Sequence, residues 1–253
     1  MQTETQTRTP NLLPQLAHAR NPGMALDLDW VASVQANTSA IERRAATLGG
    51  RRSVKKEYQA AWLLKAISLI DLTTLSGDDT VGRVKRLCAK ARQPVRADML
   101  DALGLPGLTV GAVCVYHEMV ETAVRALEGS NIPVAAVSTG FPAGLSPYNL
   151  RLAEIGESVK AGAKEIDIVI SRRHVLTGNW QALYDEMREM RAACGEAHVK
   201  AILATGELVT LRNVARASLV CMMAGADFIK TSTGKEAVNA TLPVSLTMIR
   251  CIR

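Results

Sequence analysis

The sequence predicts an α/β protein with a parallel sheet of the β/α-barrel type, and three observations carry that expectation. From about residue 66 onward, short apolar and β-branched runs alternate with longer helical segments, the pattern of repeated strand–helix units. Most of these runs close on a polar or reactive residue: Asp71, Cys114 with Tyr116, Thr139, Asp167, Thr205, and Lys230 with Thr233. Barrels of this type take their functional groups from the C-terminal ends of different strands. At 253 residues and 48% hydrophobic content, the chain can bury one substantial core, and barrels of about this length are routinely single domains.

The elements follow in order. Residues 1–24 are rich in Thr and Gln and broken by Pro10, Pro14 and Pro22, which predicts a disordered tail. Residues 25–65 read as an N-terminal helical extension, with helices over 26–34, over 39–48 stopped by Gly49 and Gly50, and from 53 to about 66 with Tyr58, Trp62 and Lys65 spaced around it. The α/β body spans 66–253. Its expected strands are 66–72, 109–116, 134–140, 165–171, 198–205 and 227–233, with helices over 116–127, 149–161, 179–194, 208–224 and 242–252. Gly162 and Gly225 stand where a helix must turn into the next buried strand, a position suited to a left-handed residue. The fold class expected is therefore the (β/α)8 TIM-barrel family, with about six of the eight strand–helix units.

Charge and cysteine usage narrow the function classes. A net charge of +6 leaves its clearest local excess at Arg43, Arg44, Arg51, Arg52, Lys55 and Lys56. No aromatic residue interleaves these charges as a nucleic-acid stacking platform requires, so they read as a solvated face with no nucleic-acid partner needed. Five scattered cysteines without paired spacing argue against a disulfide framework and for a reducing, cytoplasmic setting. The first twenty residues lack the apolar run of a secretory signal, and no stretch approaches the ~18 apolar residues of a membrane span. Scarcity of acids between Arg8 and Arg20 keeps organellar targeting open as a lesser reading.

Chemistry concentrates in the strands. A lysine inside a barrel strand costs several kcal/mol of desolvation unless it is paired or deprotonated. Period 2 puts Phe228, Lys230 and Ser232 on one face and Ile229 on the other, and an apolar helix layer favours the lysine pointing inward. Such an amine can attack a carbonyl and then draw electrons as an iminium. Glu165, Asp167 and Val169 share a face opposite Ile166, Ile168 and Ile170, so Asp167 is an inward acid fit for the proton transfers of Schiff-base chemistry. Asp71 is either a second inward acid or a cap for the Thr73–Thr74 turn. Lys200 either lines the barrel with Ile202 and Ala204 or snorkels outward at the strand entrance. Cys114, between Val113 and Val115, reads as a packed and inert thiol. The turn from Thr231 through Ser232, Thr233 and Gly234 to Lys235 offers hydroxyls, backbone N–H groups and a cation to an anion, although a plain surface turn gives the same letters. His117, His174 and His198 lack ligand spacing, so neither metal nor cofactor is expected.

Six runs in sequence resemble the deoxyribose-phosphate aldolases, and the length of the extension resembles the animal form: Ile-Asp-Leu-Thr-Thr-Leu from Ile70, Val-Cys-Val-Tyr from Val113, Ser-Thr-Gly-Phe-Pro from Ser138, Glu-Ile-Asp-Ile-Val from Glu165, Ala-Thr-Gly-Glu-Leu from Ala204, and Asp-Phe-Ile-Lys-Thr-Ser-Thr-Gly-Lys from Asp227. The resemblance implies a class I aldolase in which Lys230 forms the imine, Asp167 relays protons, Thr233, Gly234 and Lys235 hold the phosphate, and Cys114, Asp71 and Thr73 line the pocket, with Lys200 and Thr205 beside them. It implies reversible cleavage of 2-deoxy-D-ribose 5-phosphate to D-glyceraldehyde 3-phosphate and acetaldehyde, in deoxyribose phosphate catabolism. That family continues into a seventh strand with a second lysine, in Gly-Phe-Lys-Pro-Ala-Gly-Gly, and an eighth with a Gly-Ala-Ser turn. Neither run occurs in these residues, so a shortened chain is expected, and a non-catalytic chain acting through a partner stands as the alternative. Its strand edges would offer backbone groups to a partner or a second copy, which allows a homo-oligomer. Another imine-forming enzyme, a transaldolase or decarboxylase, is a third reading.

Overall fold

A computed structural model describes residues 19–51 and 53–253. Three helices, α1 (Leu28–Ser33), α2 (Thr38–Arg51) and α3 (Lys56–Ile67), precede the sheet. The body then runs β1 (Asp71–Thr73), α4 (Val81–Arg92), α5 (Ala97–Ala102), β2 (Ala112–Tyr116), α6 (Val120–Ala126), β3 (Val134–Ser138), α7 (Tyr148–Lys160), β4 (Glu165–Val169), α8 (Arg172–Leu176), α9 (Trp180–Ala193), β5 (His198–Ile202), α10 (Leu211–Met223), β6 (Phe228–Lys230) and α11 (Leu242–Ile252), with single 3-10 turns after β2 and β5. All six strands are parallel and lie in sequence order, β1 to β6.

The sheet curls into a half-barrel. Lys200 on β5 reaches the Asp71 carboxylate on β1, whereas four strand spacings laid flat would separate these strands by about 19 Å. Alternation along each strand divides its residues between two environments. Val113 and Val115, Val134 and Ala136, Ile166 and Ile168, and Val199 and Ala201 pack outward on Val84, Ile155, Leu183, Met187, Met190 and Val220 of the helices. Facing inward, Cys114, Ala135 and Val137 form a small second cluster. The register lines up Val137 with Asp167, Asp167 with Lys200, and Ile202 with Lys230, so the charged residues share the inner face.

Several boundaries differ from those the sequence suggests. The run expected to open as a strand at residue 66 is still helical to Ile67, and β1 is only Asp71–Thr73; a short apolar run carries no period that separates the two states. Gly49 and Gly50 do not end their helix, which continues through them to Arg51, because glycine permits a left-handed turn without enforcing one. Gly162 and Gly225 do adopt positive φ, +102° and +96°, just past α7 and α10. Helices α4, α5 and α8 had no counterpart in the expected list. Of the expected tail, residues 1–18 lie outside the described residues, as does Arg52 of the basic run. Residues 20–24 are held: the Asn21 side chain donates to the carbonyls of Met222 and Ala226, and Met24 N–H donates to Met223 O.

Candidate active site

The site grows from the inner face at the centre of the curl. β4 is buried from Ile166 to Val169, and its alternation sends Ile166 and Ile168 into the helix layer and Asp167, fully buried, to the inside. β6 does the same at its end, with Ile229 packed outward and Lys230 turned in. Lys230 Nζ donates to Asp167 Oδ2 at 2.5 Å. The resting pair is therefore a lysine ammonium donating to a carboxylate on the second strand away.

A second lysine completes the cluster. Lys200 Nζ contacts Asp71, lies 2.5 Å from Glu165 Oε2, and is 3.7 Å from Asp167 Oδ1. Asp167 thus faces both cations, one through each oxygen. Burial alone would lower the pKa of Lys200, but the carboxylates of Asp167, Glu165 and Asp71 outweigh it and hold the group above the usual lysine range. Lys230 follows the same balance: burial pulls its pKa down, and chiefly Asp167 pushes it back above the ordinary value. Glu165 goes the other way for a carboxylate, raised by burial against the pull of Lys200. Cys114 Sγ sits 4.0 Å from Asp167 Oδ2, and burial pushes its thiol up to about 12, so it is a neutral wall of the pocket.

Of the residues singled out in the sequence, Lys230, Asp167, Lys200, Asp71 and Cys114 come together. Both open alternatives resolve inward: Lys200 does not snorkel, and Asp71 pairs with it instead of capping the following turn, which Asp79 holds through Thr74 and the N–H of Ser76. Thr73 is exposed, and its hydroxyl donates to the Asp71 carbonyl rather than to the charged cluster. Thr205 is buried after β5, bound through its N–H to Thr231 O at 2.8 Å, with its hydroxyl unpartnered among the described residues. The turn after β6 is a nest of N–H groups: Thr233 and Gly234 both donate to the carboxylate of Glu236, and Lys235 N–H donates to Thr233 Oγ1. Glu165 and Glu236 are the participants that the sequence reading did not assign. Glu165 was legible from its parity with Asp167; Glu236 had no signal beyond its place next to Lys235.

Residues 65–253 match the family model described as DeoC/LacD family aldolase. Deoxyribose-phosphate aldolase of Mus musculus is 61% identical over 241 residues, 94% of this chain and 75% of that protein. The Homo sapiens protein of the same name is 59% identical over 239 residues, again 75% of its length. A tetrameric deoxyribose phosphate aldolase from Aeropyrum pernix superposes with a TM-score of 0.59 at 21% identity, covering 86% of this chain and 80% of that one, a likeness that shows the fold. Family model and close relatives together establish that this chain belongs to the DeoC/LacD family of aldolases.

Proposed function

We propose that the chain is a lyase that cleaves 2-deoxy-D-ribose 5-phosphate reversibly to D-glyceraldehyde 3-phosphate and acetaldehyde through an imine on Lys230. The observation that carries this reading is the 2.5 Å contact between Lys230 Nζ and the fully buried Asp167. Attack by the amine requires it to lose a proton, and Asp167 is the acceptor already in place. The same carboxylate, once protonated, returns that proton to the carbinolamine oxygen, which leaves as water to give the iminium. Cleavage of the bond between C2 and C3 of the bound sugar sends its electron pair into the C1 iminium to give an enamine, while the C3 hydroxyl gives up its proton and becomes the carbonyl of glyceraldehyde 3-phosphate. Protonation of the enamine at C2 and hydrolysis of the iminium then release acetaldehyde and the free lysine. Lys200 keeps a positive charge 3.7 Å from Asp167 Oδ1 and so stabilises the carboxylate each time the proton leaves it.

Asp71 and Glu165 hold Lys200 in place, and Cys114 and Thr205 bound the pocket. Thr233, Gly234 and Lys235 are assigned to the phosphate because backbone N–H groups and a cation there suit an anion. Close relatives named as deoxyribose-phosphate aldolases support the substrate. For location, a cytoplasmic protein is the reading supported by five free cysteines, and among the described residues no helix is long and apolar enough to cross a membrane. For assembly, a homo-oligomer is supported by the edges of β1 and β6, each paired on one side only.

The test is release of aldehyde from 2-deoxy-D-ribose 5-phosphate. Lys230→Arg should abolish it, and Asp167→Asn should lower kcat by about 10²–10⁴-fold. Undiminished release by Lys230→Arg would exclude the imine route.

A further inference from the structure

We propose that Glu236 is an internal stand-in for the substrate phosphate, occupying the N–H nest after β6 in the empty site and leaving it when a phosphate monoester enters. This rests on the assignment of Thr233, Gly234 and Lys235 to the phosphate and adds a residue that tunes selectivity for that group.

The geometry is that of an anion already bound. Thr233 N–H lies 3.0 Å from both carboxylate oxygens of Glu236, and Gly234 N–H lies 3.2 Å from Oε2. Burial disfavours ionisation of Glu236, yet these donors outweigh it and set its pKa below the ordinary carboxylate value. The donors point at one spot, so a phosphate oxygen and this carboxylate cannot use them together. Exchange is sterically open, because Gly234 and Lys235 are exposed and Glu236 is only partly covered. The segment that carries Glu236 is itself located: Gly206 lies against Val238, where any Cβ would come within 2.0 Å of the Val238 carbonyl oxygen, and Asn239 donates to Glu236 O at 3.1 Å.

The consequence is selectivity by competition. A phosphate monoester carries about −1.5 to −2 charge and three acceptor oxygens, against one charge and two oxygens for Glu236. A weaker anion or an unphosphorylated sugar has no such advantage over the resident carboxylate. If the carboxylate holds the nest nine-tenths of the time, apparent phosphate affinity falls by about 10-fold.

Calorimetric titration of inorganic phosphate into the full chain tests this, using wild type, Glu236→Gln, Glu236→Ala and Lys235→Ala. Glu236→Gln keeps the shape of the side chain and so guards against loss of the turn. Both Glu236 variants should bind phosphate about 10-fold more tightly than wild type, with Lys235→Ala weaker. Unchanged or weaker binding in both Glu236 variants, with Lys235→Ala still weakened, overturns the stand-in while leaving the phosphate turn in place. Equal affinity in all four proteins, or no binding in any, overturns the phosphate assignment and the stand-in together.

Discussion

Three carboxylates and two ammonium groups sit within one inner face, and their pairing decides how single substitutions behave. Lys200 is the shared counter-charge of Asp71, Glu165 and Asp167. Replacing it with methionine leaves buried carboxylates unpaired, so Lys200→Met should cost about 3–5 kcal/mol in urea denaturation; a loss below about 1 kcal/mol would mean that solvent screens the cluster. Glu165→Gln should be far milder, because burial already raises the Glu165 pKa and the amide removes a charge that the site resists. Cys114 provides a separate check at the same scale. With its thiol pushed up to about 12, it should resist iodoacetamide at pH 8 in the folded protein and react only after denaturation. Rapid alkylation of the native chain would place a thiolate, or an opening, where the structure has a packed wall.

At the scale of elements, two glycines make opposite predictions. Gly23 has a φ of +70°, and a Cβ there would lie 2.6 Å from Met223 O, on the strap that ties residues 20–24 to the end of α10. Gly23→Ala should therefore destabilise the fold by about 1–3 kcal/mol. Gly49 sits inside α2 with no neighbour within 4 Å of a built Cβ, so Gly49→Ala should stabilise by roughly 0.5–1 kcal/mol. Chemical denaturation of both variants reads the difference in sign. The same pair shows where sequence is readable. Period 2 in Glu165-Ile-Asp-Ile-Val gave the inner and outer faces of β4, because a strand buried on both sides must sort its charges inward when the helices outside are apolar. The glycine pair after Leu48 gave a stop that does not exist, since nothing local distinguishes a tolerated helical glycine from a terminal one. β1 and β6 are three residues each, so the apolar runs located them but overstated their length, and the alternation of Phe228, Ile229 and Lys230 turned the lysine inward although Ser232 lies beyond the strand. The contact of Lys200 with Asp71 was not legible, because it depends on the curl and not on either strand. Glu236 was missed for a related reason: its role lies in three N–H bonds that form only when the turn has its final shape.

For the whole molecule, the curl, the strap and the outer helices all serve to hold charges at a distance that an extended sheet would not allow. This arrangement gives a pH signature. Lys200 and Lys230 both have folded pKa values above their ordinary value, so each contributes stability that is fully present below the unfolded lysine pKa of ~10.4 and is lost as pH rises through the folded values. Stability to urea should fall steadily above about pH 10, and Lys200→Met should flatten that fall. The same linkage keeps Lys230 protonated in the resting site, and under the proposed imine route it ties the reactivity of that amine to Asp167 across the curl.

That dependence is tested most directly by borohydride reduction of the folded chain in the presence of acetaldehyde, followed by peptide mass mapping. One ethyl group should appear on Lys230 and on neither Lys200 nor Lys235, and Asp167→Asn should slow its appearance by about 10²-fold or more. An absence of adduct on folded protein, or an adduct spread over several lysines at equal rates, would contradict the imine site.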